Sequence, residues 1–77
     1  MIYKVKAAPI GVSYPPFVTN WLLLLVANGE KVGNKIIFKV EEIKSFFQKE
    51  KVPHVADFLE ENKVTTIEYA ESDCEEG

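Results

Sequence analysis

His54 is the only histidine of the chain, and Asp57 and Glu61 follow it three and seven residues later. On a helix those intervals fall on one face, so the three side chains could offer nitrogen and oxygen ligands to a metal, or a carboxylate could orient the imidazole as a general base. A histidine directly after a helix-starting proline and among acids is, however, more often a solvated surface residue. The single cysteine, Cys74, sits in Glu71-Ser72-Asp73-Cys74-Glu75-Glu76. Carboxylates on both sides disfavour a thiolate and so weaken it as a nucleophile. The sequence offers no placeable Ser-His-Asp pattern, no phosphate-binding glycine loop and no carboxylate pair set in an apolar pocket. The expectation is a non-enzymatic chain with no metal site and no cofactor.

Charge is the stronger signal. The net value of −3 conceals an uneven division. Residues 1–40 carry Lys4, Lys6, Lys31, Lys35 and Lys39 against Glu30, a balance of +4, whereas residues 41–77 carry four lysines against eleven Asp and Glu, a balance of −7. An acidic half suits docking on a basic protein surface, because complementary charge speeds encounter and excludes wrong partners. The residues expected to make that contact are Asp57, Glu60, Glu61, Glu68, Glu71 and Asp73. The function expected is a small protein-binding module, a regulator or inhibitor that presents an acidic helix face. A structural homo-oligomer, pairing through a sheet edge or surplus apolar surface such as Trp21 and Ile37, is the competing reading, so a homodimer is possible.

Nucleic acid is a poorer candidate partner. The chain has no arginine, the residue that contacts phosphate and guanine in bidentate fashion. A helix, a Val52-Pro53 break and a second helix give the outline of a helix-turn-helix, but Asp57, Glu60 and Glu61 on the second helix would be repelled by phosphates. No direct nucleic-acid readout is expected.

These residues must be carried by a small scaffold. At 77 residues, with 47% hydrophobic and 27% charged side chains, the chain reads as one globular domain over 1–70 followed by an acidic, disordered tail over 71–77. The opening MIYKVKAAPI has neither the apolar core nor the length of a signal peptide, and the run from Trp21 to Ala27 is far shorter than the ~20 residues of a membrane span. With one cysteine and no disulfide framework, a cytoplasmic location without membrane association is expected.

In chain order, residues 2–8 alternate, with Tyr3, Val5 and Ala7 on one face, as in a strand near a sheet edge. Pro9, Gly11, Pro15 and Pro16 then enforce a stiff loop whose Tyr14 and Phe17 form either a lid on the core, the favoured reading, or an exposed contact surface. The run from Trp21 to Val26 is apolar throughout and fits either a strand or a helix capped by Thr19 or Asn20 and ended at Gly29. The Asn28-Gly29 pair and the strand-like Ile36 to Val40 favour a β-hairpin with a type I′ turn at Asn28-Gly29. Val40, Ile43, Phe46 and Phe47 shift the period to 3.6 and predict a helix to about Lys49; a second helix opens at Pro53 and buries Val55, Phe58 and Leu59. Val64 to Ala70 reads as the last strand. The expected fold is α+β, a small mostly antiparallel sheet in the order β-β-β-α-α-β with two short helices packed on one face, with no internal repeat.

Overall fold

A computed structural model describes residues 2–11 and 13–76. The chain is α+β, with three helices and two antiparallel three-stranded sheets, where a single sheet and two helices were expected. In the first sheet β1 (Ile2–Val5) lies between β2 (Val26–Asn28) and β6 (Cys74–Glu76). In the second, β4 (Lys35–Lys39) lies between β3 (Glu30–Val32) and β5 (Thr66–Ala70).

The alternation read from residues 2–5 is present, with Tyr3 and Val5 buried and Ile2 and Lys4 outside. The edge position is not. The acidic stretch expected as a disordered tail forms a 3₁₀ turn at Glu71–Asp73 and then β6, which sets Glu75 opposite Lys4 and Cys74 opposite Val5. Carboxylates that look solvated in sequence are here placed against lysines: Lys6 Nζ lies 3.4 Å from Glu75, and the Lys6 amide donates to the Asp73 carbonyl at 2.8 Å.

The largest correction concerns residues 16–29. Pro16 opens a helix, α1 (Pro16–Leu22), whose missing amide hydrogen costs nothing at that position and whose φ is already set for a helix. The leucine run is therefore divided. Val18 and Leu22 enter the core from α1, Leu25 enters it from the connecting turn, and only Val26–Asn28 is strand. Asn28-Gly29 is not a hairpin turn, because the chain passes there from β2 in one sheet to β3 in the other. The hairpin turn is Gly33-Asn34, which joins β3 to β4 with Val32 opposite Lys35. Gly33 has φ of 62° while Asn34 does not adopt positive φ, the type II′ pattern with the glycine at the first central position.

Gly29 serves a different purpose. A Cβ on it would stand 2.6 Å from Ile36 Cγ2 and 3.1 Å from the Phe38 ring, so its bare backbone is what lets the crossing strand lie against the core.

The helical part of the reading agrees closely with the structure. α2 (Val40–Lys49) buries Val40, Ile43 and Phe47, and Glu41 and Glu42 occupy its first turn, where they complement the helix dipole. α3 (Pro53–Glu61) buries Val55, Ala56 and Leu59. Both α2 and α3 end in a Schellman motif. After α2 the Val52 amide donates to the Phe47 carbonyl at 2.9 Å, and after α3 the Val64 amide donates to Leu59 at 2.8 Å. The left-handed residue is a lysine both times, Lys51 at φ 60° and Lys63 at φ 59°. The core lies between the sheets and the helices. Phe38 is at its centre, edge-on to Tyr69 at 5.4 Å and to Tyr3 at 6.4 Å. Tyr69 is fully buried, and its hydroxyl donates to the Leu22 carbonyl at 3.3 Å, tying β5 to the end of α1.

Candidate functional site

The outward side of α3 follows from its helical spacing. With Val55, Ala56 and Leu59 turned inward, His54, Asp57 and Glu61 occupy the opposite side, and Phe58 lies at the border where α1 packs. α1 brings Phe17 to that border. Its ring is 5.7 Å from His54 and 5.9 Å from Phe58, edge-on to the latter, and Tyr14 meets Phe58 from the other side at 6.4 Å. Phe17 stays 45% exposed. The loop expected to act as a lid is thus divided: Tyr14 packs on the core, its phenol pushed up by burial, while Phe17 is left on a mixed aromatic and acidic surface.

The six acidic residues expected to contact a partner do not form one surface. Asp57 and Glu61 are exposed on α3, with no lysine of the described residues within ion-pair distance. Glu60 on the same helix pairs with Lys44 of α2 at 3.4 Å. Glu68 pairs with Lys35 at 3.5 Å across the β4–β5 ladder, and Glu71 with Lys31 at 2.6 Å. Asp73 is half-buried in the 3₁₀ turn. The charge division along the sequence is partly undone by the fold, which brings the early lysines Lys6, Lys31 and Lys35 beside the late carboxylates Glu75, Glu71 and Glu68. Asp57 and Glu61 are left as the acidic residues of the expected set that face water together.

The His54, Asp57 and Glu61 ladder does not close into a ligand set: among the described residues no group of three His, Cys, Asp or Glu side chains converges on a position a metal could occupy. The Cys74 thiol is half-buried and is pushed up first by burial and then by Asp73, against a smaller opposing pull from Lys6. Thiolate formation is disfavoured, and the chief reason is desolvation by the sheet rather than the neighbouring charge.

Open grooves also mark the surface, two of them beside α2. One, of about 420 Å³, lies where the start of α2 meets the end of α3 and carries Lys39, Lys44 and Lys63 beside Glu41 and Glu60. The other, of about 610 Å³, runs between β2 and α2, with Ile2 and Val26 on one side and Glu42, Phe46 and Lys49 on the other. No family is indicated. Neither family models, curated proteins nor solved structures yield a match to this chain. Among the described residues no helix is long and apolar enough to cross a membrane.

The β2 groove escaped the sequence reading, whereas the exposed position of Phe17 matches the alternative weighed there, a contact surface instead of a lid. Phe17 had a usable signal, since Pro15-Pro16 before Phe17-Val18 marks a helix start as well as a loop. The groove had none, because it joins residues far apart in the chain.

Proposed function

We propose that this chain is a non-enzymatic protein-binding module of the cytoplasm, a regulator or inhibitor that engages a basic segment of a partner protein through the outer side of α3. The observation that supports this reading is the juxtaposition of two unpaired carboxylates, Asp57 and Glu61, with the exposed Phe17 ring and His54. A lysine or arginine of the partner would find both a carboxylate and an aromatic face, a combination that favours long cationic side chains over other ligands. Acidity on this helix also disfavours phosphate backbones, in keeping with a protein partner. Glu60, Glu68 and Glu71 contribute less in this reading, since each already has a lysine beside it.

A lysine-rich peptide containing one aromatic residue, titrated into labelled protein and followed by amide chemical shifts, tests the proposal. Shifts should concentrate on residues 54–61 and around Phe17 and weaken as salt is raised. Asp57→Lys with Glu61→Lys should abolish them, whereas Glu68→Lys with Glu71→Lys should leave them in place. Shifts spread evenly over the surface, or insensitive to the α3 reversal, would sink the idea.

A further inference from the structure

We infer that β2 is a pairing edge through which two copies of this chain associate about a two-fold axis. Four strands lie at sheet borders, and three of them are blunted. β3 carries Glu30 and Lys31. On the outer edge of β5 the Glu68 carbonyl already accepts from the Ile10 amide at 2.8 Å. On β6, Glu75 and Glu76 would bring like charges together in any self-pairing. Charges and coverings of this kind are how sheet borders are kept from joining other chains. β2 carries no charge, since residues 24–29 read Leu-Leu-Val-Ala-Asn-Gly, and α2, which packs beside it, leaves an open groove along it. Beside it stand Leu24, Ile2 and Val26, exposed by 60%, 50% and 43%.

The hydrogen-bond parity supports the same border. The Val5 amide donates to the Leu25 carbonyl at 3.1 Å, and the register sets Tyr3 opposite Ala27. Alternation along an antiparallel pair then turns the backbone groups of Leu25 and Ala27 toward β1, and those of Val26 and Asn28 away from it. A two-fold axis at Ala27 places Val26 opposite Asn28 of the second copy, so that both outward-facing residues on each strand exchange hydrogen bonds and the two sheets become one of six strands.

Charge along the groove fits this symmetry. Glu42 and Lys49 line the α2 wall beside β2, neither with an ion-pair partner among the described residues, and seven residues apart they are separated by about 10 Å along the helix. A two-fold axis reverses the order of the second copy, which brings Glu42 of one toward Lys49 of the other at both ends of the interface. The surface differs from the one assigned to α3, so Asp57→Lys with Glu61→Lys should leave it intact.

Sedimentation equilibrium of the full chain is the test. The mass should rise with concentration from 8.7 kDa toward twice that value. Val26→Lys should hold the protein at the monomer mass with an unchanged circular dichroism spectrum, while Val32→Lys, at an equally exposed position on β3, should not. Glu42→Lys should weaken association about tenfold, and adding Lys49→Glu in the same chain should restore it. A wild-type chain that stays monomeric at high micromolar concentration overturns the inference. So does a dimer indifferent to Val26→Lys, one equally disrupted by Val32→Lys, or one that the charge exchange does not restore.

Discussion

Gly29 and Tyr69 show how single side chains decide this core. At Gly29 the constraint is volume: a methyl group would press on Ile36 Cγ2, a branch fixed to the backbone and fully buried, so Gly29→Ala should cost about 1 to 3 kcal/mol in urea unfolding. Ile36→Leu removes that branch, and the double substitution should be less destabilised than the two single costs added together. Tyr69 is held by the Leu22 carbonyl, and its phenol is raised above its ordinary 10.0, first by burial and then by Tyr14 and Cys74. A raised acid keeps its proton in the fold while the unfolded chain gives it up. Its contribution is thus complete below pH 10 and is lost as pH climbs above it toward the folded value. Tyr69→Phe should cost about 1 kcal/mol at neutral pH and flatten the alkaline decline in stability. Urea midpoints at both pH values check this.

Among the elements, the two helix ends and β6 give opposite lessons. Lys51 and Lys63 stand in left-handed backbone where glycine is better suited, so Lys51→Gly and Lys63→Gly should each stabilise by about 1 kcal/mol, measurable as a higher unfolding midpoint. β6 looks dispensable from its composition, yet it flanks the central strand of the first sheet. Ending the chain after Ala70 removes the partner of Lys4 and the cover over Tyr3 and Val5, so the shortened protein should lose a large part of its cooperative unfolding transition. A truncation that unfolds at the same urea midpoint would contradict that role. Elements with a clear period were legible in the sequence: α2, α3, β4 and most of β5 lie where their apolar spacing puts them. α1 and β2 were not, because Trp21 to Val26 is apolar at every position and periodicity carries no information there. β6 was hidden for the opposite reason, since its acidic residues show no strand pattern and its place is given by pairing with β1, with Glu75 opposite Lys4 and in reach of Lys6.

At the scale of the whole molecule, α+β layering was readable from the change of period at Val40, whereas the division into two sheets depends on a crossing at Gly29 that no local pattern marks. The candidate acidic surface was half legible: composition pointed to the carboxylates, but which of them remain unpaired depends on tertiary packing, with Lys31, Lys35 and Lys44 pairing Glu71, Glu68 and Glu60 and leaving Asp57 and Glu61 without an ion pair. The position of β1 has a further consequence, for synthesis. β1 leaves the ribosome well before β6, yet β6 is one of its two flanking strands, with Tyr3 opposite Glu76. At roughly 5 to 20 residues per second, the nascent chain must wait several seconds with one side of β1 unpaired. During that interval one backbone border of β1 has no strand beside it, and the first sheet closes only after translation has passed its last strand.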